Sequence, residues 1–291
     1  MARYVVTGGA GFIGSHLVDE LLSGGHEVVN FDLRPYQRGG VRNVIGDIRD
    51  GGAVRGAVGE ADGVFHLAGV LGTSELIRRP VEAEEINVIG TLHVLEACSA
   101  AGVPLVFVSK LNPPDWVNPY TITKRSCDDY CRMYAEVRGL DVCVVKPLNV
   151  YGPRQRARPV QKYVPTFIER ALRNEPIPVW GTGEQEVDPV YVADVARALS
   201  LAMERGLGQT IEVGTGRPIR VIDVARRVVE LTGSRSEIRL LPMRPGEPER
   251  PATRLFADTR GMREVLGVDP DGMVPLDDGL RRTIDWWRSR P

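Results

Sequence analysis

An α/β fold with a doubly wound parallel sheet, followed by a smaller C-terminal α/β domain, is what this 291-residue sequence predicts. Three observations point there. Short β-branched runs alternate with helical patterns through the first half of the chain. Several of these runs are apolar throughout, as strands covered on both faces must be. A glycine-spaced turn follows the first of them.

The strand-like runs are Arg3–Gly8 (RYVVTG), Glu27–Asp32 (EVVNFD), Gly63–Gly69 (GVFHLAG), Pro104–Ser109 (PLVFVS) and Asp141–Lys146 (DVCVVK). Between the first two lies FIGSHLVDELLSGG, a helical pattern that Gly24 and Gly25 should stop. Asn118 has the side chain of an N-cap and Pro119 suits a first helical position, so a helix should start there and run to Gly139. After Val150 the Pro/Arg-rich YGPRQRARPVQKYVP leads to a helix over about 165–174 and a short strand near IPVWG. A helix in VADVARALSLAMERG and smaller αβ pieces follow, ending in the amphipathic LDDGLRRTIDWWRSR.

Bulk properties narrow the function classes. Acid and base are mixed along the chain to a net charge of −1, so no nucleic-acid footprint is expected. Arg154, Arg156 and Arg158 cluster in one loop, which reads as a solvated or anion-facing turn. No window approaches 18 apolar residues, so no membrane span is expected. The start, MARYVVTGG, enters a strand directly and does not read as a secretory leader. Cys98, Cys127, Cys131 and Cys143 show no secreted disulfide pattern, and the chain reads as cytoplasmic. Cys127 and Cys131 would share a helix face, yet no second ligand pair accompanies them; burial as small apolar residues is the better reading, and no metal is expected. His16, His26, His66 and His93 form no ligand cluster and read as packing or surface residues.

In VVTGGAGFIGSH, Gly8, Gly11 and Gly14 lie between a strand and a helix. A pyrophosphate seat needs a tight turn, a backbone it can approach, and a helix N-terminus aimed at its charge. Asp32 ends the next strand, where a carboxylate accepts from the adenosine ribose hydroxyls and repels a 2′-phosphate. This favours NAD over NADP, with Arg34 the one residue nearby that argues otherwise. The expected division is 1–150 for a Rossmann-type NAD-binding domain, with about 178–204 returning to it, and 151–177 plus 205–291 for the smaller substrate domain.

Tyr120 and Lys124 would sit one turn apart on the same face of the helix begun at Asn118. A phenol near pKa 10 is a poor base at neutral pH. A neighbouring ammonium, helped by a positively charged nicotinamide ring, favours the phenolate. Following an apolar strand of a nucleotide-binding sheet, this pair is the favoured catalytic candidate.

At these residues the chain resembles the extended short-chain dehydrogenase/reductases, in particular the NAD-dependent epimerase/dehydratase group typified by the UDP-glucose (galactose) 4-epimerases. The resemblance covers nearly the whole chain: TGGAGFIGSHLVDELL, GDIRD, HLAG, INVIGTLHVLEAC, YTITK, KPLNVYGPRQ, DPVYVADVARAL and EVGTGRPIRV. It implies that Asp47 and Ile48 lie by the adenine, Ala68 and Gly69 beside the cofactor ribose, and Asn87 near the nicotinamide half. It further implies cofactor contacts from Phe12, Ile13, Leu67, Ser109 and Pro147. Tyr120 would be the acid/base, with Lys124 lowering its pKa and holding the nicotinamide ribose. For the substrate it implies that Asn149 contacts a nucleotide sugar's diphosphate region and that Arg244 clamps the phosphates; Arg244 can instead be a loop arginine paired with Glu247. A homodimer through the helices near 82–101 and 119–138 is implied by the same resemblance.

Two departures stand out. Only ten residues separate Ser109 from Tyr120, and the Ser-Ser or Ser-Thr usual in the family reads Ser109-Lys110 here. The hydroxyl's role is left vacant or passes to Ser109 or to Lys110, whose ammonium can donate to a developing alkoxide or point to solvent. Where relatives have Arg-Asp-Phe, this chain reads Val187-Asp188-Pro189, so one expected phosphate arginine is missing; either fewer charges hold the diphosphate, or Arg154 and Arg220 replace it, or the substrate is not a standard nucleotide sugar. The loop's Leu111 and Asn112 cannot supply the acid/base groups of dehydratases or decarboxylases, and Asp115 is its one carboxylate. The expected function is an NAD-dependent nucleotide-sugar 4-epimerase, a UDP-sugar being the expected substrate. The alternatives are a dehydratase using Asp115, a dehydrogenase releasing its reduced cofactor, and a non-catalytic NAD-binding sensor or scaffold.

Overall fold

The computed structural model describes residues 1–113, 115–247 and 255–290. The chain opens with β1 (Arg3–Thr7), β2 (Glu27–Asp32), β3 (Val41–Ile45), β4 (Gly63–His66), β5 (Leu105–Val108) and β6 (Val142–Pro147). Four shorter strands, β7 (Val150–Tyr151), β8 (Ile177–Trp180), β9 (Glu186–Val187) and β10 (Val190–Tyr191), precede β11 (Thr210–Val213), β12 (Ile219–Arg220) and β13 (Ile238–Leu241). The main sheet has the order β11-β6-β5-β4-β1-β2-β3, and its pairings are parallel. The chain steps outward from β1 to β3 and then reverses to β4 on the other side of β1. That topological switch opens a crevice at the carboxyl ends of β1 and β4.

The helices are α1 (Phe12–Ser23), α2 (Gly51–Val58), α3 (Pro80–Ala83), α4 (Gly90–Ala101), α5 (Pro119–Arg138), α6 (Tyr163–Leu172), α7 (Val192–Arg205), α8 (Val221–Thr232) and α9 (Leu276–Arg288). Leu17 and Leu21 of α1 and Leu199 of α7 pack with Val6 and Phe65 on one face of the sheet. Leu95 of α4 and Tyr134 of α5 pack with Val5, Phe31 and Phe107 on the other. Coverage of both faces is why these strands are apolar throughout. The caps follow from local chemistry. Asn118 accepts from the Thr121 amide to start α5, and Gly139 at φ 69° ends it. α1 stops at Ser23, followed by Gly25 at φ 78°.

The structure departs from the expected boundaries in two places. β3 carries no strand signature in the sequence. It is a mostly exposed edge strand, held by parallel pairing to β2 and by a hydrogen bond from Asn30 to Asn43. Of the segment expected to return to the main sheet, about 178–204, α7 does return but β8 does not. β8 pairs with β13, and its Ile177 and Val179 join the core of the second lobe with Phe167 of α6 and Val224 of α8. β11, with α7 before it, completes the main sheet beside β6.

All four cysteines are buried free thiols. Among the described residues there is no group of side chains suited to a metal ion, and no helix is long and apolar enough to cross a membrane. His16, His26, His66 and His93 each hydrogen-bond within the fold.

His66 is fully buried between Thr7 and Thr91, and burial, with a smaller contribution from Lys124, pulls its imidazole down to about 3. In the unfolded chain the ring titrates near 6.5. Below that pH the unfolded chain takes up a proton that the folded chain refuses. Stability present above pH 6.5 is therefore lost on acidification, on the order of 1 kcal/mol per pH unit until the folded value is reached. His66→Gln is expected to flatten the pH dependence of the urea midpoint between pH 7 and 5. An unchanged slope in that variant would assign the acid sensitivity elsewhere.

Candidate active site

The crevice opens into a cavity of about 700 Å³ into which the carboxyl ends of β1, β4, β5 and β6 lead, through Gly8, Leu67, Ser109 and Leu148. At its cofactor end the glycine turn lies against the loop after β4. A Cβ on Gly8, at φ +73°, would stand 2.8 Å from the Ala68 amide nitrogen, and one on Gly14 would stand 2.2 Å from the Gly8 carbonyl oxygen. Only glycine leaves the backbone bare here and α1 close enough to point its first turn into the cavity. The Asp32 carboxylate accepts from the amides of Ala10 and Arg34, which aims it across the same opening. A bare turn, a helix N-terminus and a carboxylate at the next strand's end fit the pyrophosphate and ribose of NAD.

Gly11, Phe12, Ile13, Asp47 and Ile48 line this end, as do Leu67, Ala68 and Gly69. Asp47 is ion-paired with Arg49, which holds its carboxyl below the usual range. Asn87 is a correction: it does not line the cavity. Its side chain donates to the Val70 carbonyl and Thr123 Oγ1 and accepts from the Val70 amide. It braces the loop after β4 from behind, because the π-helical turn of residues 84–89 directs it inward.

Ser109, Lys110, Tyr120, Lys124 and Pro147 converge further along the cavity. Lys124 is buried; its Nζ donates to the Val108 carbonyl at 2.8 Å and lies 4.5 Å from the centre of the Phe107 ring. Desolvation lowers its pKa. Burial pushes the Tyr120 phenol up to about 12, the opposite of what a base needs. The fold by itself therefore favours the protonated phenol. Ser109 Oγ is buried without a hydrogen-bond partner among the described residues. Asp115 is not among the lining residues.

At the far end Asn149 and Arg244 line the cavity. Asn149, at φ 29°, accepts from the Asp188 amide. Arg244 donates to Glu247 and lies 3.6 Å from Glu75, so the pairing with Glu247 is present in a side chain that also lines the cavity. Arg154 and Arg220 are corrections. Arg154 turns away at φ 70°, donating to Asp19 at 2.6 Å, to Tyr36 and to the Ser15 carbonyl. Arg220 is held by Asp223 and Glu184 at the start of α8. Neither lines the cavity. The cation that sequence reasoning missed is Lys162, which lines the cavity and whose pKa is lowered by desolvation and by Arg244. Ahead of an amphipathic helix it reads as a solvated lysine, and no local signal marks it.

Over residues 4–214 the chain matches the family described as NAD dependent epimerase/dehydratase. It is 32% identical to the UDP-glucose 4-epimerase of Thermotoga maritima solved with UDP-glucose, at a TM-score of 0.90 over 98% of both chains. The UDP-glucose 4-epimerase of Thermus thermophilus in complex with NAD superposes at 0.88, with 32% identity over 99% of this chain and 100% of that one. UDP-glucuronic acid decarboxylase 1 of Xenopus tropicalis is 31% identical over 99% of this chain and 72% of its own length.

Proposed function

The chain belongs to the NAD dependent epimerase/dehydratase family, and we propose that within it the protein is a nucleotide-sugar 4-epimerase. It is an NAD-dependent enzyme of the extended short-chain dehydrogenase/reductase type, acting in the chemistry of nucleotide-sugar epimerases, dehydratases and decarboxylases. One observation carries the finer reading. Tyr120 and Lys124 line the same cavity as the glycine turn, whereas Asp115, the one carboxylate of the shortened loop, does not. Elimination of water needs a second acid/base pair beside the sugar, whereas epimerisation needs a single proton-handling group.

NAD held at the glycine turn and Asp32 would supply the hydride acceptor and donor, and its oxidised ring would add positive charge to the cavity that Tyr120 lines. Tyr120 takes the proton from the sugar's 4-hydroxyl, and Lys124 favours the phenolate that receives it. The resulting 4-keto sugar turns in the cavity and is reduced on its opposite face, recovering its proton from Tyr120. Arg244 and Lys162 are the cations positioned to neutralise a substrate diphosphate, the guanidinium as a fork and the ammonium as a point charge.

The test is to incubate the purified protein with UDP-, dTDP- and GDP-sugars, UDP-glucuronate among them. Sugar isomer, reduced nicotinamide and carbon dioxide are followed together. Isomer without accumulating reduced cofactor is expected from a UDP-sugar. Accumulating reduced cofactor would make it a dehydrogenase, carbon dioxide a decarboxylase, and no change with any sugar a non-catalytic NAD binder.

The protein is also proposed to be a cytoplasmic homodimer. Four free thiols suit a reducing compartment. Exposed Ile89, ahead of α4, and Ile122, Tyr130 and Val137 on α5 offer apolar area for a partner copy. Sedimentation velocity should give a dimer's mass; a monomer at micromolar concentration would exclude it.

A further inference from the structure

Lys110 leaves the end of β5 and turns back into the cavity. Its Nζ donates to Thr121 Oγ1 at 3.2 Å and to Asn112 Oδ1 at 3.4 Å. It lies 5.7 Å from the centre of the Tyr120 ring and 5.7 Å from that of Trp116. Among the described residues it has no ion-pair partner. The carboxylate facing it, Asp128, is engaged by Asn112 Nδ2 and by Lys146, each at 2.8 Å. An ammonium has three donors; Thr121 and Asn112 occupy two, and the third remains for a molecule in the cavity. A desolvated charge without a counter-ion is unfavourable for the fold and is characteristic of a functional position.

We propose that Lys110 is a second catalytic residue, whose ammonium donates a hydrogen bond to the substrate oxygen that Tyr120 deprotonates. This rests on the oxidation–reduction reading given above. The hydroxyl proton passes to Tyr120, and the C–H bond's electron pair passes with its hydrogen to NAD. Lys110 keeps its own protons, stabilising the charge that develops on oxygen as the O–H bond breaks and again as the ketone is reduced. Neutral Thr121 and Asn112 fix the ammonium without quenching its charge. The charged groups around it are Asp128, Arg125 and Lys124 on α5 and Lys162 ahead of α6. Desolvation, opposed by Asp128, pulls Lys110 down to about 7, so its charged form is lost as pH rises through neutrality.

The test compares wild type, Lys110→Met, Ser109→Ala and Lys110→Cys before and after alkylation with 2-bromoethylamine, which rebuilds an ammonium at that position. The readouts are kcat, KM, NAD affinity and the rate at which bound cofactor is reduced after a nucleotide sugar is added. Lys110→Met is expected to slow that reduction and kcat by about 10²–10³-fold. NAD and nucleotide-sugar affinities should stay within about twofold, the mark of an interaction made in the transition state. Alkylated Lys110→Cys should recover much of the rate, and the decline of kcat through neutral pH should be absent from Lys110→Met. Full rate in Lys110→Met, or a loss confined to Ser109→Ala, would overturn the assignment while leaving the epimerase reading intact. If wild type reduces no bound cofactor with any nucleotide sugar, the function proposed above fails, and this inference with it.

Discussion

Tyr120→Phe is expected to bind NAD as wild type does and to lose turnover by about 10²–10⁴-fold. The substitution removes one oxygen from a ring whose face remains packed, so the cavity keeps its shape. What it removes is the group proposed to take the substrate's proton. The structure adds a condition that the Tyr–Lys spacing alone does not show: burial pushes the phenol up to about 12. Lys124 is held 2.8 Å from the Val108 carbonyl, and its own pKa is lowered by desolvation. Desolvation thus disfavours the charged form of both side chains, and the proposed reaction needs positive charge beside the phenol to offset it. Parallel calorimetry for NAD and single-turnover assays would separate the two functions. A Tyr120→Phe protein with near-normal kcat would remove Tyr120 from the reaction.

The second large effect is expected at the glycine turn. In Gly14→Ala the new methyl would lie 2.2 Å from the Gly8 carbonyl oxygen and 2.9 Å from Gly9 Cα. These are backbone atoms, so no side-chain rotation relieves the overlap and α1 must move away from β1. Overpacking of this kind costs about 1–3 kcal/mol. Spent on opening the pyrophosphate seat, that is about 5- to 150-fold in the NAD dissociation constant. Isothermal titration with NAD measures it, and circular dichroism establishes that the variant is folded. Unchanged NAD affinity in a folded Gly14→Ala protein would show that the turn is not where the pyrophosphate sits.

Both effects sit at residues whose environment is local in sequence, and local features were the legible ones. Asn118 caps α5 with its own side chain, so Tyr120 and Lys124 are set one turn apart by the residues just before them. The glycine turn lies between β1 and α1 with little chain on either side. β3 was less legible because a short exposed edge strand has only one covered neighbour and so carries no apolar run.

The arginines mark the limit more sharply. The resemblance implied Arg244 as the phosphate clamp, with Arg154 and Arg220 as possible substitutes for the missing arginine, yet a guanidinium goes to whichever carboxylate the fold brings within reach. For Arg154 that is Asp19, on α1, 135 residues away. For Arg220 it is Asp223 and Glu184, at the outer start of α8. Only Arg244 stays on the cavity wall, joined there by Lys162, which had no mark in the sequence.

The amino-acid order by itself determined the parallel sheet, the dinucleotide turn and the Tyr120–Lys124 pair, because each depends on backbone conformation and side-chain spacing within a few turns of chain. Tertiary structure alone decided which cations line the cavity, that Asn87 braces the loop after β4 from behind, and that Lys110 turns inward toward Tyr120. The physical reason is that the direction of a long polar side chain is chosen by competition among hydrogen-bond partners and by desolvation, and those partners arrive from distant segments only when the chain has folded.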